Sequence, residues 1–422
     1  MNKKTIEFIK ILKERELIHQ TTDMDELIKS NNKIIGYTGF DCTADSLHVG
    51  SLLQLMLLRW LQNTGNKPIV LIGGGTTKIG DPSGKDKTRL ILSEKNISDN
   101  SLGIQKIVKK FIKFGNNDTD AILLDNSDWL NKLNYINFLR DFGCHFSVNR
   151  MLTFDSVKMR LDRQQNLSFL EFNYMITQAY DYLVLNERFN CNVQFGGSDQ
   201  WGNIVNGIDL IKKVNTLKNK NTNAHAITSP LITTANGKKM GKTAKGTIWL
   251  SDDKLSIYDY WQFWRNTLDE DVIRFLKFFT EIDITEINKL NKLRGEEINE
   301  AKVLLSNSVT EITYGKESAH KAEIYSKKSY GGSSSENLLP FTNIDKEILS
   351  KGIPAYKIFS LNKILCESNS EARRLIVQGG AKINGNKITN FNAMIDETFI
   401  QTNNNLYLSA GTKRRALIKI VS

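Results

Sequence analysis

The chain has 422 residues, more than one ordinary domain holds, so two or three bodies are expected. Hydrophobic residues make up 40% and charged residues 24%, a globular composition, and no apolar run approaches the roughly 18 residues of a membrane helix. Lys and Arg outnumber Asp and Glu by 57 to 46, a net charge of +11 that suits a polyanionic partner such as nucleic acid.

Cys42, Cys144, Cys191 and Cys366 form no C-x-x-C pair and no zinc-ligand spacing with a histidine, so they read as reduced thiols. His19, His145, His225 and His320 are scattered and read as structural. The opening MNKKTIEFIKILKERELIHQ spreads its charges through a helical period and lacks the apolar core of a signal peptide. A cytoplasmic protein with no membrane contact is expected.

In chain order, residues 1–30 read as two amphipathic helices. KIIGYTGF (33–40), KPIVLIGGGT (67–76) and AILLDN (121–126) read as buried strands, with a helix over 47–63 between the first two. Strand, helix and strand with short connections predict a parallel sheet, whose ligand edge lies at the strands' carboxyl ends. Residues 135–180 are rich in helix formers and aromatics, and NVQFGGSDQWGNIVNGIDLI repeats the order of strand, glycine turn and helix. Residues 255–325 read as all helix. YGGSSSENLLP (330–340) reads as a linker.

Residues 356–422 carry ten Lys and Arg against four acids, over half the net charge in about a sixth of the chain. Within them, SEARRLIVQGGAKINGNKI predicts a capped helix, a Gly-Gly stop and a hairpin turning on Asn-Gly. Such a basic helix and hairpin suit a phosphate backbone. The expected organisation is therefore an α/β, Rossmann-like parallel-sheet catalytic domain over 1–250 and an all-helical domain over 251–329. A linker over 330–355 and a small α+β RNA-binding domain over 356–422 would follow.

Three stretches carry chemistry. In DSLHVGS, Asp45 or Ser46 is the expected N-cap, which places His48 in the first turn of a helix. Helix N-termini offer free N–H groups and the positive end of the dipole, a site for phosphate. Two readings of His48 stand at this point: it donates to a phosphate oxygen, with Gly50 leaving room for a nucleotide, or it only caps the helix. The second stretch, GGGTTKIGDPSGKDKTR (73–89), is a glycine-rich loop ending in Lys85 and Arg89, without the P-loop spacing. The third, GKKMGKT (237–243), is a basic glycine-flanked loop able to fold over a polyphosphate.

HVGS resembles the HIGH signature of class I aminoacyl-tRNA synthetases, and KMGKT resembles their KMSKS signature. YTGFDCTADSLHVG, GDPSGK, SFLEFNYMITQAYDYL, QFGGSDQWGN and KKMGKT together resemble the bacterial-type tyrosyl-tRNA synthetase family nearly end to end. The resemblance implies that tyrosine attacks the α-phosphorus of ATP, supplied with Mg²⁺, and that the tyrosyl group then passes to the terminal ribose of tRNA(Tyr). It implies no tightly bound cofactor and no protein-held metal. Thr43, His48, Lys85, Arg89, Lys239, Lys242 and Thr243 match the positions that stabilise charge on the leaving pyrophosphate. Tyr37 and Asp181 match the pair that binds the phenol hydroxyl, and Tyr174, Gln178 and Asp81 the positions around the α-ammonium group. Tyr174, Gln178 and Asp181 stand at i, i+4 and i+7, one face of a helix. Asp41, Gln194, Gly197, Asp199 and Gln200 match positions lining the adenylate, with Asp199 on the ribose, and Thr38, Gly39 and Asn126 also match site-lining positions.

The chain departs from the family pattern where Ser51 replaces the second HIGH histidine, where Thr38 and Cys42 replace a usual cysteine and proline, and at Met-Gly within the lysine loop. A serine at 51 still donates one hydrogen bond, over a shorter reach. Two other readings are kept for testing: an RNA-binding factor with a decayed catalytic body, and the sibling enzyme for tryptophan, which has no need of a Tyr37/Asp181 pair. The resemblance further implies a homodimer with FGCHFSVNRML near its two-fold axis. It also implies a tRNA held by the 255–325 helices and the basic tail.

Overall fold

The computed structural model describes residues 2–82, 92–221, 223–237, 240–243, 246–330, 341–363, 365–400, 405–411 and 414–421. They form two compact units, residues 1–323 and 324–422.

The first unit is built on a six-stranded sheet. Its strands are β1 (Gln20–Thr21), β2 (Ile35–Asp41), β3 (Lys67–Gly73), β4 (Ile122–Asp125), β5 (Val193–Gly197) and β6 (His225–Ser229). Their spatial order is β1-β6-β5-β2-β3-β4. All neighbours run parallel except β1, which pairs antiparallel with β6. The order reverses direction at β2, where the chain leaves for β3 on one side and β5 lies on the other. In a parallel sheet this is where a crevice opens beyond the strand ends. The helix Val49–Asn63 makes the β2–β3 crossover, burying Leu52, Leu53, Leu55, Met56, Leu57, Leu58 and Leu61. That burial nearly all round is what a crossover between a sheet and an outer helical layer demands.

The expected strands 33–40, 67–76 and 121–126 correspond to β2, which starts two residues later and ends one later, β3, which ends three residues earlier, and β4, which is shorter by one residue at each end. β1 and β6 were not foreseen from the sequence. The first two helices are Lys3–Glu14 and Met24–Lys29. Helices Ile257–Arg265, Asp269–Phe279, Ile284–Leu290 and Ile298–Tyr314 follow the sheet, and Trp264, Phe275, Phe279, Leu305 and Val309 join the same buried core as the Val49–Asn63 helix. These four helices, from the region expected as a separate body, thus lie within the first compact unit, while the next helix, Lys316–Tyr330, runs across the boundary at residue 323.

The second unit has its own core, in which Ile358, Phe359, Ala372 and Ile376 of two helices meet Ile383, Leu406, Leu408 and Ile418 of a sheet. The sheet runs Asn386–Lys387, Ala381–Ile383, Asn405–Ala410, Arg414–Val421 and Phe341–Asp345, with only the last pair parallel. Ser368 caps the Asn369–Val377 helix, and Asn384 (φ 51°) with Gly385 (φ 82°) makes the two-residue hairpin turn. Of the expected linker 330–355, residues 331–340 lie outside the described residues, while Phe341–Asp345 is a strand and Lys346–Ser350 a helix. Its low apolar periodicity hid an edge strand that alternates exposed and buried residues. Among the described residues no helix is long and apolar enough to cross a membrane.

Candidate active site

A cleft of about 530 Å³ opens at the carboxyl ends of β2, β3 and β5. Tyr37, Thr38, Gly39, Asp41, Thr43, His48 and Ser51 line it from β2 and the turn after it. Asp81 and Asn126 line it beyond β3 and β4, Tyr174, Gln178 and Asp181 from the helix Tyr174–Phe189, and Gln194, Gly197 and Gln200 from β5 and its turn. Tyr37, Asp181 and His48 therefore share one cleft.

At its deep end the Asp181 carboxylate is 2% exposed. Its Oδ2 accepts from Asn126 Nδ2 at 2.8 Å and its Oδ1 from Trp129 Nε1 at 2.7 Å. Burial pushes its pKa up to about 7, against the opposing pull of those two donors. The Tyr37 hydroxyl, 1% exposed, has no hydrogen-bond partner among the described residues. Burial, then the nearby Asp181 charge, holds its pKa well above the ordinary tyrosine value. A buried hydroxyl left unpaired costs stability unless a ligand completes it. The Oγ1 of Thr38 and the Oε1 of Gln194, both on strands that line the cleft, are also buried without a partner among the described residues.

Farther out, Asp41 is held from both sides. Tyr174 Oη donates to its Oδ2 at 3.0 Å and Thr76 Oγ1 to its Oδ1 at 2.8 Å. Gly73 makes this possible, because a Cβ there would sit 2.2 Å from Asp41 Oδ1 and 2.6 Å from Thr76 Oγ1. Gln200 Nε2 donates to Asp81 Oδ2 at 2.9 Å. The described lining thus carries Asp41, Asp81 and Asp181 and no lysine or arginine, which suits a cationic group.

His48 corrects the expected helix start. It is itself the N-cap of Val49–Asn63, with φ −120° and ψ 171°, and its Nδ1 accepts from the Gly50 N–H at 2.9 Å. Asp45 is instead ion-paired with Lys254 at 2.7 Å, and the Ser46 hydroxyl donates to the Leu47 carbonyl. An accepting Nδ1 places the proton of the neutral ring on Nε2, which makes that nitrogen a donor. Capping and donation are therefore compatible in one side chain. Gly50 is not in the cleft lining. Its missing Cβ makes room for the His48 ring, which would otherwise lie 2.5 Å away.

The lysine loop is tied to the same turn. Val49 N–H donates to Ile248 O at 2.9 Å, Ile248 N–H to Gly241 O at 3.0 Å, and His48 bridges Trp249. Lys242–Thr243 pairs antiparallel with Gly246–Thr247. The side chains of Lys242 and Thr243 lie outside the described residues, as do Lys85, Arg89 and Lys239 altogether. Asp199 is exposed beside Gly197 and outside the cleft lining. Trp129 and Thr76 were not foreseen as site residues. Trp129 reads in sequence as a core aromatic, and only the fold brings its N–H to Asp181.

A family model described as tRNA synthetases class I (W and Y) matches residues 29–331. The chain belongs to that family. Among its relatives is a tyrosine–tRNA ligase of Rhodopseudomonas palustris, 49% identical over 98% of both chains. One from Rickettsia felis is 49% identical over 98% of this chain and all of its own. These place the chain on the tyrosine branch of the class I synthetases. The crystal structure of a C-terminally truncated mitochondrial tyrosyl-tRNA synthetase of Aspergillus nidulans superposes with a TM-score of 0.68 at 31% identity, covering 76% of this chain and 94% of that one. A tryptophanyl-tRNA synthetase of Encephalitozoon cuniculi shares the fold, at 15% identity and a TM-score of 0.52.

Proposed function

We propose that this chain is a tyrosine–tRNA ligase, which joins L-tyrosine to ATP as tyrosyl-adenylate with release of pyrophosphate and then passes the tyrosyl group to the 3′-terminal ribose of tRNA(Tyr). The observation that carries the reading is the buried Tyr37 hydroxyl and Asp181 carboxylate in the same cleft as His48. A phenol entering there would donate to Asp181 and accept from Tyr37, completing both. Phenylalanine would leave the Tyr37 hydroxyl unpaired and offer Asp181 no third donor. The tryptophan reading has no use for this pair, and the decayed-enzyme reading does not account for the polar network kept around it.

In this reading the substrate ammonium sits among Tyr174, Gln178 and Asp81, with Gln200 holding Asp81. Asp41, Thr38, Gly39, Gln194, Gly197 and Ser51 face the adenylate, Asn126 supports the lining, and Asp199 takes the ribose at the rim. Held in this way, the tyrosine carboxylate and the α-phosphorus react without a covalent enzyme intermediate. Catalysis is then positioning plus stabilisation of charge on the pyrophosphate. His48 Nε2–H and Thr43 would donate to the phosphates. The acidic lining cannot neutralise a triphosphate, so that task falls to Lys85, Arg89, Lys239 and Lys242, with Thr243 donating a hydrogen bond and Mg²⁺ arriving on the ATP.

The tRNA would lie on the helices after residue 250 and on the basic second unit, where Arg373 stacks on Tyr356 at 4.2 Å. A homodimer is supported by exposed apolar side chains in one stretch of the first unit, including Tyr135, Ile136, Val148, Leu152 and Phe169. The cytoplasm, where charged tRNA is consumed, is the proposed location. The test is charging of tRNA(Tyr) with labelled tyrosine in the presence of ATP and Mg²⁺. Tyrosyl-tRNA formed only with all components is the expected result, and charging with tryptophan instead would refute the proposal.

A further inference from the structure

Behind the cleft wall, Asn203 stands in the first turn of the helix Trp201–Leu217 and is 2% exposed. It is not a lining residue, yet its Nδ2 lies 3.0 Å from Gln178 Oε1 and 3.3 Å from Gln200 Oε1. Both glutamines line the cleft, and Gln200 passes the polarity on by donating from Nε2 to Asp81 Oδ2 at 2.9 Å. We infer that Asn203 is a positioning residue for the amine-binding end of the cleft, its single NH₂ group holding the Gln178 and Gln200 side chains in one orientation by their amide oxygens.

The argument is one of amide polarity. A glutamine side chain is nearly symmetric in shape, but one end donates two protons and the other accepts. Beside a cation, the wrong end brings partial positive charge against positive charge. Gln200 is pinned twice, by Asn203 at its oxygen and by Asp81 at its nitrogen. Among the described residues Gln178 is pinned only by Asn203. The two hydrogens of one buried NH₂ can serve two acceptors, which neither a hydroxyl nor an aliphatic side chain of the same size can do. Removing Asn203 leaves the Gln178 amide free to rotate, so that its dipole no longer has one fixed direction at the amine-binding end. The phenol end, built on Tyr37, Asp181, Asn126 and Trp129, shares none of these bonds.

The inference rests on the reading that Tyr174, Gln178 and Asp81 receive the substrate ammonium, and the test separates the two. Tyramine and 4-ethylphenol differ only by the ammonium group. Their dissociation constants are measured on the full-length wild-type chain, Asn203→Ala and Asn203→Leu, by displacement of tyrosine. Wild type should prefer tyramine. Both variants should lose about tenfold of that preference, the size of one hydrogen bond to a charged group, while 4-ethylphenol binds as before. If wild type shows no preference, the ammonium reading itself fails, and the inference with it. If wild type prefers tyramine and the variants keep the preference, only the inference is overturned. Equal weakening of both ligands would assign Asn203 a merely structural role and overturn it as well.

Discussion

Asn126 donates to Asp181 at 2.8 Å and, from the same nitrogen, to Thr76 Oγ1 at 3.0 Å. Thr76 donates onward to Asp41, which also accepts from Tyr174. One continuous hydrogen-bonded path thus joins the phenol end of the cleft to the adenylate end. Every bond in it is between side chains, so the sheet edge alone does not hold the site's shape.

Thr76 is the middle of that path and itself lines the cleft. Thr76→Val keeps the shape and removes the hydroxyl, leaving Asp41 and Asn126 each short of a partner. A loss of about 1–3 kcal/mol in urea unfolding is expected. kcat/KM should fall for tyrosine and ATP together. An unchanged stability, or an effect on one substrate alone, would separate the two ends.

The raised pKa of Asp181 gives a pH dependence with a definite sign. Its folded value, about 7, lies above the unfolded 3.8, so between them the folded state holds a proton that the unfolded chain has released. Stability contributed by this group is therefore present below the unfolded value, falls as pH rises toward about 7, and is level above it. Tyrosine recognition runs the other way, because the ionised carboxylate is the better acceptor. kcat/KM for tyrosine should rise through about pH 7 in the free enzyme. Trp129→Phe removes one of the donors that favour the charged form and should move that limb to higher pH. A limb that stays in place would break the link between Trp129 and Asp181.

His48 carries two roles that mutation can divide. Asn at an N-cap can accept from the Gly50 N–H as Nδ1 does, whereas Ala cannot. His48→Ala should lose about 1 kcal/mol of stability. His48→Asn should recover most of it. Adenylate formation should stay low in both, down by about 10²–10³. Activity that tracks stability through the pair would mean that the imidazole only caps.

The second unit has its own core, and every described lining residue of the cleft belongs to the first unit. Removing residues 340–422 should abolish tRNA charging and leave adenylate formation near its full rate. Charging by the full-length chain should also weaken steeply with salt. Loss of both activities on truncation would tie the tyrosine site to the second unit.

What was legible in the sequence was whatever local chemistry decides. The hydrophobic runs gave the parallel strands, Asn384-Gly385 gave the turn of the basic unit, and the spacing of Tyr174, Gln178 and Asp181 gave one face of a helix that does line the cleft; the basic helix was legible too, though its cap is Ser368, two residues before the SEARRLIV run. What was missed depends on contacts far along the chain. The His48 cap is set by pairing with residues 248–250, while Lys254 takes Asp45 away from the capping role. Trp129 lies 52 residues from Asp181 and Asn203 lies 25 residues from Gln178. β1 has two residues and exists because β6 offers an edge.

Pyrophosphate–ATP exchange with tyrosine, phenylalanine and tryptophan in parallel tests the pairing of a phenol-reading pocket with an ATP site most directly. Exchange should be strong with tyrosine, absent with tryptophan and lower with phenylalanine by about 10⁴-fold or more, a ratio characteristic of this family's own tyrosine enzymes and not deduced from this chain. Exchange with tryptophan alone, or with no amino acid at all, would contradict it.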